Sequence, residues 1–180
     1  MKAEALDFIN SKSRPLILSH VFPDPDAIGS AVGLALGLKK LGKDAKVFFP
    51  TGIIPSMSEL VNSSVVDSSP NFANYDSIIV VDTANKERAS GLELCLEELN
   101  FDTLCIDHHR SNDSWASKNF IDPDAPATAI IIYEFLTELG LMEVGVEISN
   151  LLFAGLVDDT GSFRFSNTTP RAFNLSLIHI

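Results

Sequence analysis

The chain has little cysteine, little tryptophan and a shortage of positive charge. Cys95 and Cys105 are the only cysteines in 180 residues, too few for a disulfide framework. Both sit in apolar surroundings and read as reduced core thiols, which leads to the expectation of a cytoplasmic protein. There is no CxxC or Cys–His pairing, so thiolate-based structural zinc is excluded. Thirteen Lys and Arg face 24 Asp and Glu, for a net charge of −11. That balance cannot build the broad basic face that long DNA or RNA requires. A short nucleotide ligand held through cations remains compatible with it. No apolar run reaches the roughly 20 residues of a membrane span, and the N-terminus lacks the charged-then-apolar order of a signal peptide. The hydrophobic fraction of 46% and charged fraction of 21% are those of a globular protein with one core.

What the chain has is alternation. Leu6 to Ser11 reads as the end of a short helix, and Pro15 to Ser19 as an apolar strand. Pro23-Asp24-Pro25-Asp26 breaks the strand and opens a helix, with Asp26 as the expected cap. Ala27, Ile28, Ala31, Leu34, Ala35, Leu38 and Leu41 recur at helical spacing, and Gly42 stops them. Ala45 to Phe49 reads as a strand. Residues 50–74, rich in Ser, Asn and Pro, read as a loop with one helical turn near Ser56 to Val61. Ser77 to Val81 is a β-branched run of the kind buried on both faces. Leu92 to Leu99 reads as helix, Thr103 to Ile106 as strand, and Ala127 to Leu139 and Ile148 to Val157 as helices. Ser162 to Phe165 is expected to be a short strand. Thr169-Pro170 reads as an N-cap and first residue of a final helix, whose Leu175, Leu177 and Ile178 are expected to have little to pack on. The fold class is therefore α/β: a mostly parallel sheet with helices on both faces, its ligand site beyond the carboxyl ends of the strands.

The ligand-type residues fall at those ends. His20, Asp24 and Asp26 follow the first strand, Asp82 another, Asp107-His108-His109 a third, and Asp158-Asp159 end a helix. Each group alone has an ordinary reading as a turn, a cap or a hydrogen-bonded structural histidine. That reading must account for all four groups at once, and for acids at a helix C-terminus, where they oppose the dipole. Carboxylates and imidazoles from separate strand ends are what a pair of divalent cations needs, roughly 3.5–4 Å apart. His20, Asp24, Asp26, Asp82, His108 and Asp159 form a hard-oxygen and imidazole set suited to Mn²⁺, with Mg²⁺ or Co²⁺ also accepted.

In these residues the sequence resembles the DHH phosphoesterase family, from about Pro15 to Arg171. The first motif is His20-Val21-Phe22-Pro23-Asp24-Pro25-Asp26-Ala27-Ile28-Gly29-Ser30, with Pro25 where many members have Gly. The second is Val80-Val81-Asp82-Thr83, the third Asp107-His108-His109, and the fourth Asp159-Thr160-Gly161-Ser162-Phe163-Arg164-Phe165. The resemblance implies a Rossmann-like DHH domain and two metal ions. His20 and Asp24 would hold one, Asp26, His108 and Asp159 the other, and Asp82 would bridge them. Asp82 and His109 would be the catalytic pair, His109 facing the scissile phosphate. Asp107 would orient the histidines, with Asp158 also a supporting residue. Arg110, Asn112, Arg164 and Arg171 are candidates for substrate contact.

The fourth motif, followed by Asn167-Thr168-Thr169-Pro170, looks like the nanoRNase and pAp-phosphatase branch, a pattern shared with the family's cyclic-dinucleotide phosphodiesterases. The implied activity is an exonuclease-type hydrolysis of short oligonucleotides or 3′-phosphoadenosine 5′-phosphate (pAp) by a hydroxide activated between two metals. Inorganic pyrophosphatase is the rival enzyme, and a non-catalytic nucleotide- or metal-sensing module the rival of another class. Branch members carry a second, DHH-associated domain that grips substrate. Residues 1–180 are expected to be the catalytic DHH domain alone, truncated before that domain. The expected partners are a short oligonucleotide or nucleotide phosphate and a second copy in a homodimer, without a membrane or long nucleic acid.

Overall fold

A computed structural model describes residues 1–89, 101–141 and 143–179. Its frame is a five-stranded parallel sheet in the order β2-β1-β3-β4-β5. The strands are β1 (Pro15–Leu18), β2 (Lys46–Val47), β3 (Ser77–Val81), β4 (Thr103–Asp107) and β5 (Lys118–Ile121). Among the described residues the α-helices are α1 (Lys2–Ser11), α2 (Pro25–Lys40), α3 (Thr128–Glu138), α4 (Gly145–Asp159) and α5 (Pro170–His179). β1, β3 and β4 are buried along their whole length, as their continuous apolar runs require of central parallel strands.

Two clusters fill the two faces of the sheet. Ile17, Ile79, Val81, Leu104 and Ile106 join the larger one, together with apolar residues of α1 to α5. Leu16, Leu18, Ile78 and Val80 belong to the smaller one, covered by Phe48, Phe72, Tyr75, Phe101 and Trp115. The helix expected over Leu92 to Leu99, and Cys95, lie outside the described residues. Cys105 is buried and free, and burial pushes its thiol pKa up to about 12, with the Asp107 carboxylate adding to the shift.

α2 is the central helix, with every residue from Asp26 to Leu38 buried. It carries Gly29, Gly33 and Gly37 at four-residue spacing. A Cβ at these positions would run into the Leu151 backbone, the Leu152 side chain and the Leu136 side chain respectively. The stripe lets α3 and α4 lie close against α2. Gly42 (φ +84) follows the helix, and the amides of Gly42 and Lys43 bond to the carbonyls of Lys39 and Leu38, the left-handed stop expected of a glycine there.

Several local expectations are corrected. The N-cap of α2 is Asp24, whose side chain accepts from the Ala27 amide at 2.9 Å; Asp26 is already inside the helix. β2 is two residues long, not five. Ser162 to Phe165 is a turn, not a strand. Gly161, Ser162 and Phe163 have φ of 54°, 59° and 64°, and left-handed backbone cannot extend. β5 went unforeseen because Lys-Asn-Phe-Ile is a polar, half-exposed edge strand without an apolar run. Ala172 and Leu175 of α5 are buried in the main core, contrary to the expectation that this helix lacks a surface to pack on. Arg171 fixes it there, with Nε and Nη2 on the two Glu134 carboxylate oxygens at 2.7 and 2.9 Å and Nη1 on Asp122 at 2.6 Å.

Candidate functional site

Strand order reverses between β1 and β3: β2 lies on one side of β1 and the later strands on the other. This is the crevice where parallel α/β sheets bind ligands. His20 and Asp24 leave the end of β1, Asp82 leaves β3 and Asp107-His108-His109 leave β4, so three neighbouring strands deliver their acidic and imidazole residues to one place. Asp159 reaches it from the last turn of α4. Asp82 sits at φ +54, a left-handed conformation costly for a residue with a Cβ and frequent at functional sites.

The described residues contain three groups whose ligand-type atoms lie within 4.8 Å of one another: His20, Asp24 and Asp82; Asp26, His108 and Asp159; and Asp82, His108 and His109. Asp82 stands between the first two. Its Oδ2 is 3.7 Å from His20 Nε2 and its Oδ1 is 3.6 Å from His108 Nε2. His20 Nε2 also lies 3.5 Å from Asp24 Oδ2, and His108 Nε2 lies 3.0 Å from Asp159 Oδ2. Both rings turn Nε2 inward for the same reason. Their Nδ1 atoms meet backbone carbonyls, Val21 at 2.9 Å and Ala125 at 3.2 Å. A carbonyl only accepts, so Nδ1 carries the proton and Nε2 keeps its lone pair.

Asp26 is fully buried, and its partners are distant in sequence. Its Oδ2 accepts from the Thr128 amide at 2.7 Å and its Oδ1 from the Ala129 amide at 2.9 Å and Ser30 Oγ at 3.2 Å. α3 has no side-chain cap of its own; the Asp26 carboxylate serves its first amides from across the core. Thr128 was not singled out from sequence, yet it also donates from Oγ1 to Asp82 Oδ1 at 2.9 Å. Its position at the start of a helix was the one available sign.

Asp107 supports the histidines. Its Oδ1 accepts from the His108 amide at 2.8 Å and His109 Nδ1 at 2.7 Å, while Oδ2 accepts from Asn112 Nδ2 at 2.7 Å. Asn112 is thus part of this brace. Asn167 Nδ2 donates to the carbonyls of Pro126 and Asp159, both at 3.0 Å, tying the end of α4 to the start of α3. Asp158 is beside the group, and partial burial with the charges of Asp24 and Asp159 raises its pKa. Arg110 pairs with Asp124 at the exposed surface, and Arg164 Nε bonds to the Gly161 carbonyl at 2.7 Å.

Among the described residues no lysine or arginine pairs with Asp24, Asp26, Asp82 or Asp159. Four converging carboxylates without a side-chain cation need positive charge from elsewhere. Hard oxygens with three imidazoles fit divalent cations of the Mn²⁺ type. Without such ions the imidazoles hold protons instead. Burial opposes their charge, but Asp24 and Asp82 raise His20 to about 10, and Asp159, Asp26 and Asp82 raise His108 to about 10. Hydrogen bonding to Asp107 raises His109, and burial, with the charges of Asp82 and Asp159, raises Asp26 well above the ordinary carboxylate range.

These shifts share a sign. A group whose pKa is raised in the folded state contributes stability below its unfolded value, and that stability is lost as pH rises through the folded value. For His20 and His108 the window runs from about 6.5 to about 10. The chelator-treated protein is therefore expected to lose thermal stability across that window, and Mn²⁺ to restore it. Thermal melts at stepped pH check this; a metal-free stability independent of pH would contradict it.

The fold is that of a parallel α/β domain with a carboxylate–imidazole cluster at its switch point, one that could hold metal ions. Residues 14–156 match the model of the DHH family, N-terminal domain, and the chain belongs to that family. It is 35% identical over 162 residues to the bifunctional oligoribonuclease and PAP phosphatase NrnA of Thermus thermophilus, covering 89% of this chain and 47% of that protein. It is 32% identical over 181 residues to the protein of the same name from Bacillus subtilis, covering 95% and 54%. The chain thus spans about half the length of these relatives. The crystal structure of an exopolyphosphatase-related protein from Bacteroides fragilis superposes with a TM-score of 0.86 at 20% identity, over 98% of this chain and 56% of that one, a likeness of fold.

Proposed function

We propose that the chain hydrolyses phosphoester bonds in very short oligoribonucleotides and in pAp, with two divalent cations, Mn²⁺ before Mg²⁺ or Co²⁺. The observation that carries this reading is Asp82, whose two carboxylate oxygens face His20 and His108 on opposite sides. In this reading His20 and Asp24 would hold one cation, Asp26, His108 and Asp159 would hold the second, and Asp82 would serve both. When bound, the pair supplies Lewis acidity toward a phosphoryl oxygen and a water acidic enough to deprotonate near neutral pH.

The chain's own residues do the rest. Backbone carbonyls hold the His20 and His108 rings with Nε2 inward. Thr128 and the start of α3 fix the Asp82 and Asp26 carboxylates. His109, half exposed, keeps Nδ1 on Asp107 and has Nε2 left to bond a phosphate oxygen or give a proton to the leaving alkoxide. The relatives' names supply the substrate class, and the acidic surface fits short substrates better than long ones.

The test is incubation of the Mn²⁺-loaded protein with a labelled trinucleotide RNA, pAp and pyrophosphate in parallel, with metal content measured by mass spectrometry. Mononucleotide from RNA, phosphate from pAp and about two ions per chain are expected. Turnover of pyrophosphate alone would make the protein a pyrophosphatase. Metal binding without turnover of any substrate would leave a sensing module.

Asp107→Asn tests the support of His109. An amide there turns an NH₂ toward either the Asn112 amide or His109. Loss of such a hydrogen-bonded support typically costs 10–100-fold in activity. We expect a drop of about that size in kcat, with the metal content unchanged; equal loss of both would make Asp107 a determinant of metal binding.

A further inference from the structure

We propose that Arg88 is the phosphate-anchoring residue of this site, an inference that rests on the phosphoester reading above. Beside His20, Asp24, Asp82 and His109, the small pocket at the switch point is lined by Thr83, Ala84 and Arg88. Arg88 is its only lysine or arginine among the described residues. The substrate is a polyanion, and the remaining charged wall is the carboxylate cluster that the cations would occupy. Phosphate oxygens turned away from the cations therefore need a donor on the protein, and a guanidinium meets a phosphate with two parallel hydrogen bonds.

The backbone fixes Arg88 relative to the metal ligands. It ends the short 3₁₀ turn Lys86–Arg88. Its carbonyl accepts from the Val21 amide at 2.9 Å, and the next residue, Ala89, forms an antiparallel bridge with His20. The turn is thus bound to the loop that carries His20 and Asp24. The other arginines near the motifs are engaged elsewhere: Arg110 with Asp124, Arg164 with the Gly161 carbonyl, and Arg171 with Glu134 and Asp122. Arg88 makes no ion pair with a described residue, and its side chain is exposed at the pocket.

The experiment compares the wild type, Arg88→Ala and Arg88→Lys, all loaded with Mn²⁺. It reads three quantities: metal content, calorimetric affinity for AMP, and kcat and KM on pAp. A charge-assisted hydrogen bond is worth roughly 10- to 100-fold in affinity. Arg88→Ala is expected to weaken AMP binding and raise KM by about that factor, with metal content unchanged. Arg88→Lys should recover part of the loss, because it restores the charge but not the paired geometry. Unchanged AMP affinity and KM in Arg88→Ala would overturn the inference, as would loss of bound metal with the substitution. If the wild type binds AMP in an Arg88-dependent way but cleaves nothing, the hydrolytic reading fails and the anchor stands.

Discussion

Asp82→Asn is expected to remove hydrolysis almost completely, by at least ~10³-fold, and to lower bound Mn²⁺ from about two ions toward one or none. Several kcal/mol of charge stabilisation depend on the cations, and each 1.36 kcal/mol is tenfold in rate. Asparagine is a sharper probe here than alanine. It tolerates the left-handed φ of +54 found at this position, and its amide oxygen can still accept from Thr128 Oγ1. What it removes is the negative charge shared between His20 and His108. Asp82→Ala would add backbone strain and an unpaired Thr128 hydroxyl, so its effect on stability would be mixed with its effect on metal. Full metal content and ordinary turnover in Asp82→Asn would end the two-cation reading.

Gly155→Ala should damage stability and the site together. A Cβ at Gly155 would stand 2.6 Å from Asp26 Oδ1 and 2.9 Å from Asp26 Cα. The first atom could move only by giving up its bonds to the start of α3, and the second is backbone of α2. Alanine gains up to about 1 kcal/mol in helix propensity, but overpacking a tight contact costs about 1–3 kcal/mol, and a backbone clash falls at the upper end. The net result is a loss of about 1–2 kcal/mol, a fall in Tm of about 2–8 °C for a chain of this size. Displacing Asp26 by as little as about 1 Å is expected to cost some 10²-fold in turnover. Melting curves and metal content of the variant check both parts; an unchanged Tm with both ions retained would refute the close-packing argument.

The contrast between Asp26 and Gly42 shows which parts were legible. Gly42 stops α2 through its own backbone freedom, with its amide on Lys39 and the Lys43 amide on Leu38, so a reading of neighbours in sequence finds it. Asp26 was expected to cap its own helix because the local signal for a cap is a carboxylate at a helix start. The cap is Asp24, and Asp26 spends its oxygens on amides 102 and 103 positions later. Nothing near Asp26 in the sequence encodes that. The turn after Asp159 was misjudged for a different reason: Ser162 and Phe163 adopt left-handed backbone, with their amides bonded to the Val157 carbonyl and Thr160 Oγ1, and the short apolar pattern does not reveal such a turn. β5 escaped notice because an edge strand owes its existence to the neighbour it pairs with.

The sequence by itself determined the parallel α/β class and the acidic and imidazole residues at successive element ends. Apolar periodicity and ligand chemistry are properties of residues and their near neighbours. Only the tertiary structure decided how those residues meet: strand order put β1 beside β3, aimed the two oxygens of Asp82 at two histidines, and turned Asp26 to the start of α3. It also set Arg88 at the pocket while committing Arg171 to Glu134 and Asp122. These are distances between segments far apart in the chain, and packing alone fixes them.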